Sequence, residues 1–363
     1  MIALRFVRIR SAFRLEFLLE YGLFLAKTVT LLLSILVIII VMVGVGQKNK
    51  QTDKGHIEVK SINDAVDNIT HSLKQMVLNP EMRKIELKSE KKKLKEEQKT
   101  RKKDAKEGAE PRGRVFVVEF EGDVQASAVA GLREEVTAIL AIADEGDEVI
   151  IKLESPGGMV HSYGLAASQL QRIVSRKVSL TIAVDKVAAS GGYMMACIGT
   201  KIIAAPFALL GSIGVVAQIP NFHRLLKNKD VDVEVLTAGE YKRTLTMFGE
   251  NTDKGREKFI EELEDVHTLF KDFVSDNRPS VDMQKVATGE AWYGKRALDL
   301  NLVDELKTSD EYIIDKCTDS AVFLVKFVEH QNRMDKLMER FALASNRLSG
   351  TDFLHREQGP YTF

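Results

Sequence analysis

Apolar positions along this chain change their period several times, and each change predicts a different element. From Thr28 to Gly46 the run TVTLLLSILVIIIVMVGVG carries no charge and no polar face. A bilayer core needs roughly 20 apolar residues, and a cleaved signal segment uses about 7–15. The run therefore predicts a transmembrane helix over 28–46, preceded by a basic N-terminal segment, 1–27. The stretch 47–113 is polar and dense in charge, with KIELKSEKKKLKEEQKTRKKDAK in its second half. Glu and Lys at helical spacing support a solvated helix, and no apolar heptad runs through it. A charged linker or stalk is expected there, with binding to anionic lipid headgroups as the alternative.

From Arg114 onward, short apolar runs alternate with helical periodicity. Val115–Phe120, Glu148–Leu153, Val178–Val184 and Lys201–Ala205 read as strands. Ala126–Ala143, Leu165–Val174 and the charged, amphipathic Asp253–Asp276 read as helices, and a further helix-like run follows Ser190. Strands alternating with helices predict an α/β layered domain, here over 114–310. The amphipathic spacing between Phe323 and Leu348 predicts a C-terminal helical tail, 311–363.

Composition narrows the function classes. The 363 residues suffice for two domains, or for one large domain with appendages. Lys+Arg and Asp+Glu balance at 52 each, so net charge gives no reason to expect a nucleic-acid partner. Two cysteines, Cys197 and Cys317, do not make a disulfide framework, and Cys197 is expected unpaired in the core. No CxxC, HExxH or His/Cys cluster is present, so neither a metal nor another cofactor is expected. Basic residues flank the apolar run on both sides, Arg5, Arg8, Arg10, Arg14 and Lys27 before it and Lys48, Lys50, Lys54 and Lys60 after it. That near balance leaves orientation undecided, and a start near Leu15 would shift it further.

The chemistry concentrates in three strings. Val187-Ala188-Ala189-Ser190-Gly191-Gly192 places a serine between an apolar strand and a helix-like run. A serine hydroxyl is a weak nucleophile until a base takes its proton. No histidine lies close in sequence, whereas Gly239-Glu240-Tyr241-Lys242 supplies an isolated lysine. A free lysine titrates near about 10.4, so a lysine base must be desolvated, here by burial beside Tyr241 and Leu245. The third string, Glu154-Ser155-Pro156-Gly157-Gly158, is a turn that lets bare backbone approach a substrate carbonyl. Gly158 N–H and Gly191 N–H are the candidate oxyanion donors. Each string also has an ordinary reading: an N-cap serine, a surface lysine and a tight turn. His161, His223 or His267 could instead complete a Ser-His-Asp triad.

Taken in order, ESPGGMVHSYGLAASQLQ, VDKVAASGGYMMAC, APFALLGSIGVVAQIPNF, TAGEYKRTLTMFGENT and ATGEAWYG with LVDEL resemble the SohB-type bacterial inner-membrane peptidases, relatives of signal peptide peptidase A (protease IV). The resemblance runs over the whole chain and weakens at the ends and in the charged stretch. It implies a ClpP/crotonase-like layered fold, with Ser190 as nucleophile, Lys242 as general base, and Gly158 and Gly191 as oxyanion donors. It also implies that Ser212, in Gly211-Ser212-Ile213-Gly214, orients the lysine. In related peptidases serine and lysine can come from neighbouring subunits of a ring, so a homo-oligomer is expected. Larger relatives carry two tandem domains with the lysine in one and the serine in the other, whereas here both lie in one domain.

The expected function is thus a single-pass, inner-membrane serine endopeptidase with its catalytic domain on the periplasmic side. Extended or membrane-derived polypeptides are its expected substrates. They would add as a β-strand along Met159-Val160 and Ile213-Gly214-Val215-Val216, with small or apolar side chains favoured beside the cut. One alternative is a crotonase-fold acyl-CoA enzyme, which needs an adenine and phosphate site and acidic groups near the SPGG turn that the sequence does not offer. The other is a non-catalytic membrane scaffold with a peptidase fold.

Overall fold

The computed structural model describes residues 21–35, 55–85 and 113–330, with Lys88, Lys92 and Lys95 as isolated positions. Residues 21–35 are helical, in a unit separate from the one that begins at Gly55. No helix among the described residues is long and apolar enough to cross a membrane. The apolar run expected to span, 28–46, passes out of the described residues after position 35.

The second unit is α/β. Its first half runs β1 (Gly55–Ser61), α1 (Ile62–Val77), β2 (Arg114–Glu121), α2 (Val129–Leu140), β3 (Glu148–Glu154), α3 (Val160–Ser175) and β4 (Ser179–Val184). Next come β5 (Val187–Ala189), α4 (Gly191–Ala196), β6 (Lys201–Ala204), β7 (Leu209–Gly211) and α5 (Asp253–Asn277). The last elements are β8 (Ala291–Tyr293), β9 (Glu305–Leu306), α6 (Ser309–Asp319) and β10 (Ala321–Glu329). A seven-stranded sheet has the order β1-β10-β2-β3-β4-β6-β9, parallel throughout except at β1–β10. In the central strand Val149, Ile150, Ile151 and Leu153 are all buried. A parallel strand covered on both faces reads as such a run rather than as an alternation.

The pleat sorts these residues to two cores. Phe116, Val118, Phe120, Ile151, Leu153, Leu180 and Ile182 pack with Leu132, Val136, Leu170 and Ile173 of α2 and α3. Val115, Val117, Ile150, Ala183 and Ile203 face the opposite way, onto Tyr312 and Ile313 of α6. Beside this sheet lies a small one, β5-β7-β8, with β5 parallel to β7 and β8 antiparallel to it. A bridge between Ser155 and Ala188 joins the end of β3 to β5. Chain leaving the main sheet is thereby led into the small one, where Ser190 sits.

Two expectations are corrected here. Gly55–Ser61, placed by composition in the charged linker, is a strand paired residue by residue with β10. Its alternation of Ile57 and Val59 with His56, Glu58 and Lys60 has the period of a strand, and at this edge Ile57 is half-buried while Val59 stays exposed. Ala321–Glu329, placed in a helical tail, is a strand that pairs with β1 and β2. Its Val and Phe content favours the pleat, while the rest of the predicted tail helix lies outside the described residues. The expected strand Val178–Val184 is present as β4, and a separate short strand of the other sheet, β5, comes between it and Ser190. Neither cysteine is bridged, and burial pushes the Cys197 thiol up to about 12, which leaves it inert.

Candidate active site

The SPGG turn, the Ser190-Gly191-Gly192 corner and the Gly211-Ser212 turn meet at the end of the small sheet. Ser155 N–H donates to Val187 O at 2.8 Å and Ala189 N–H to Ser155 O at 3.0 Å, which lays the SPGG turn along β5. Ser190 N–H donates to Gly211 O at 2.8 Å, which continues the β5–β7 pairing and sets Ser190 beside Ser212.

Ser190 itself is strained. Its φ is 51°, in the left-handed half of the map, which costs a side-chain-bearing residue on the order of 1–3 kcal/mol. It precedes the six-residue helix α4 but makes no side-chain cap hydrogen bond, so the ordinary N-cap reading does not describe it. Its hydroxyl has no hydrogen-bond partner among the described residues, and the residue is half-buried. The Ser190 hydroxyl is thus left unengaged at a strand–helix corner.

The backbone donors around it can be counted. Gly157 N–H is taken by Ser155 Oγ at 3.1 Å, and Met159 N–H by Val124 O at 2.8 Å. Gly158 N–H, between them, has no acceptor among the described residues, and neither does Gly191 N–H at the start of α4. Gly157, with φ 91°, packs so closely that a Cβ would lie 2.7 Å from Ser190 Cβ and 2.9 Å from Gly191 N. The N–H groups of Gly158 and Gly191 are thus unpaired, and the turn that carries Gly158 packs against Ser190 through Gly157.

Ser212 also has positive φ, 49°, and its hydroxyl donates to Gly289 O at 3.3 Å. Lys242 is not gathered into this group. Its side chain is exposed and makes no hydrogen bond or ion pair among the described residues. The burial expected from Tyr241 and Leu245 is absent: Tyr241 is itself 46% exposed. Val231, Val233, Val235 and Leu236, on the chain leading to it, are exposed as well, Leu236 at 88%. His161 is exposed, and no histidine hydrogen-bonds Ser190 among the described residues.

Beyond the turn, Gly214–Pro220 forms no regular element, and Val216 is 91% exposed. Val160, by contrast, opens helix α3, so the extended backbone expected at Met159-Val160 is limited to Met159.

Two contributors escape a reading of the sequence. Tyr163 is fully buried and its hydroxyl donates to Asp123 O at 2.7 Å, while Ser155 Oγ lies 2.5 Å from it. In the sequence Tyr163 belongs to a helical apolar stripe with Ala166, Ala167 and Leu170, which signals only a core position. Asp123 caps its own loop, accepting from Gln125 N–H, Ser127 N–H and the Ser127 hydroxyl.

Comparison with known proteins follows the same lines. The family described as "Peptidase family S49 N-terminal" matches residues 16–170, and "Peptidase family S49" matches residues 172–322. The chain is 48% identical over 346 residues to "Probable protease SohB" of Haemophilus influenzae, covering 94% of this chain and 96% of that one. It is 45% identical over 306 residues to the protein of the same name from Buchnera aphidicola subsp. Schlechtendalia chinensis, covering 83% and 100%. Among solved structures, a membrane-bound stomatin-specific protease in complex with a substrate peptide aligns at 14% identity, with a TM-score of 0.40. That alignment covers 63% of this chain and 98% of the other.

Proposed function

The chain belongs to peptidase family S49, a family of serine proteases, and from that premise we propose that it cleaves peptides with Ser190 as nucleophile and Lys242 as general base. The observation that carries the reading is the free Ser190 hydroxyl in a strained turn, packed against the SPGG turn at Gly157, with the Gly158 and Gly191 N–H groups both unpaired. Ser190 Oγ attacks the peptide carbonyl as its proton passes to neutral Lys242. The carbonyl oxygen, now an oxyanion, receives Gly158 N–H and Gly191 N–H. The C–N bond breaks, and the lysine returns the proton to the leaving amine. Water, deprotonated by the same lysine, releases the acyl group from Ser190. Each oxyanion donor is worth roughly 3–4 kcal/mol in such a site. Ser212, which follows β7 beside Ser190, holds the lysine in line.

Lys242 needs desolvation to act, and a lone chain leaves it in water. A second copy of the chain laid over the exposed apolar run Val231–Leu236 would supply it, so the active form is a homo-oligomer in which subunits complete one another's sites. The architecture is then the ClpP/crotonase-like variant of α/β layering, and the small second sheet supports that choice. The charge-free run at 28–46 anchors the protein in the inner membrane with the peptidase unit on the periplasmic side. Substrate lies extended along Gly214–Ala217, where backbone is open, and apolar side chains face Val215 and Val216.

Fluorophosphonate labelling tests the nucleophile. Wild type should be labelled and hydrolyse a denatured protein substrate, and Ser190→Ala should do neither while keeping its melting temperature. Persistent labelling or turnover in Ser190→Ala would overturn the proposal. Mixing Ser190→Ala with Lys242→Ala chains tests the shared site: recovered activity supports it, and none recovered in a mixed oligomer refutes it.

A further inference from the structure

The turn that carries Gly158 is held from below by one side chain the reaction does not consume. Tyr163 is fully buried, and its hydroxyl donates to Asp123 O at 2.7 Å. A carbonyl only accepts, so the phenol proton is committed there. The 2.5 Å contact between Tyr163 Oη and Ser155 Oγ must then use the Ser155 proton. With that proton spent, Ser155 Oγ is free to accept, and it accepts Gly157 N–H at 3.1 Å. The chain therefore has one direction: Gly157 N–H to Ser155, Ser155 to Tyr163, Tyr163 to Asp123.

The other side of Gly158 closes on the same loop. Val124, next to Asp123, accepts Met159 N–H at 2.8 Å. One phenol hydroxyl thus acts on the Pro156–Gly157 peptide through Ser155 and on the Gly158–Met159 peptide through the Asp123–Val124 backbone, the two peptides on either side of the one that carries the Gly158 N–H. The tyrosine ring also lies directly under Gly191, where a Cβ would strike its Cγ. Burial raises the Tyr163 pKa, so the proton that sets this direction is retained.

We propose that Tyr163 is a positioning residue that aims the Gly158 N–H at the oxyanion, acting through Ser155 on one side and the Asp123–Val124 backbone on the other. The proposal rests on the reading of Gly158 as an oxyanion donor. Tyr163→Phe keeps the ring beneath Gly191 and removes only the hydroxyl. With the donor misaimed rather than deleted, kcat should fall about 10–100-fold, short of the 10²–10³ for losing a donor outright, and KM should stay within about threefold. Ser155→Ala should produce a similar loss. The double variant should be no worse than the poorer single one, because either change breaks the same chain.

Tyr312→Phe is the structural control. It removes another buried phenol, which donates to Glu148 at 2.8 Å on the opposite face of the main sheet, and it should leave kcat unchanged. A wild-type kcat in Tyr163→Phe, losses that multiply in the double variant, or an equal loss in Tyr312→Phe would each overturn the proposal while Ser190→Ala stays inactive. Turnover by Ser190→Ala would instead remove the reading beneath it.

Discussion

Replacing Gly157 by alanine adds one methyl where the site has no room for it. An ideal Cβ there would lie 2.7 Å from Ala189 O, 2.7 Å from Ser190 Cβ and 2.9 Å from Gly191 N. Comfortable carbon contacts begin at about 3.5 Å, so the overlap approaches 1 Å with two neighbours. None of the three atoms is the end of a flexible side chain, so relief requires backbone movement. The φ of 91° adds a second penalty, since L side chains rarely adopt it. Overpacking costs about 1–3 kcal/mol and the strained backbone about 1–3 kcal/mol. A destabilisation of about 2–6 kcal/mol follows. Whatever movement relieves the clash displaces Ser190 or Gly191, and under the proposed mechanism a shift of about 1 Å there costs on the order of 10²-fold in rate. The comparison is Gly164→Ala in helix α3, where nothing lies within 4 Å of the added methyl. The same chemical change should there gain up to about 1 kcal/mol and keep full activity. Denaturant unfolding gives the stability difference, and kcat/KM on an unfolded substrate, measured well below each melting temperature, gives the rate. Gly157→Ala with wild-type stability and kcat/KM would refute the packing of this turn against Ser190.

Two further outcomes follow from buried polar groups. Tyr193, on the helix after Ser190, donates to Leu302 O at 2.9 Å and is fully buried. Tyr193→Phe leaves that carbonyl unpaired and should cost about 1–3 kcal/mol in denaturant unfolding; no loss would mean the bond contributes nothing. Asp147 is 5% exposed and accepts from Arg114 Nη2 at 2.6 Å and from the backbone N–H groups of Arg114 and Asp144, both at 2.9 Å. Burial opposes its ionisation, but these hydrogen bonds outweigh it and hold the carboxyl below its ordinary range. The unfolded chain therefore binds the proton more readily, so Asp147 stabilises the fold above about pH 4 and loses that effect as pH falls through its folded value. Asp147→Asn should lower stability at neutral pH and flatten its decline in acid, and an unchanged pH profile would contradict the assignment.

The local part of this protein was legible in its sequence. The strands β2, β3, β4 and β6 and the helices between them announce themselves because a strand buried on both faces must be apolar along its length and a covering helix must repeat its apolar face. Ser190 and the SPGG turn were legible for a similar reason: the glycines that let backbone approach closely are written next to the serine. What could not be read there depends on residues far apart in the chain. β1 and β10 become an edge of the main sheet only because Gly55 meets Glu329, and each alone resembles linker or helix. The three-residue strands β5, β7 and β8 are too short to carry a periodic signal, yet they set Ser190 beside Ser212. Tyr163 looks like one more core position until its hydroxyl is seen between Ser155 and Asp123. Lys242 shows the same limit from the other side. Its chemistry is evident from residue type, but desolvation belongs to whatever packs around it, and a single chain leaves that lysine exposed. Residue type and spacing state which chemistry is available. Only tertiary contacts decide which hydroxyl is free, which N–H is unpaired and which charge is kept from water.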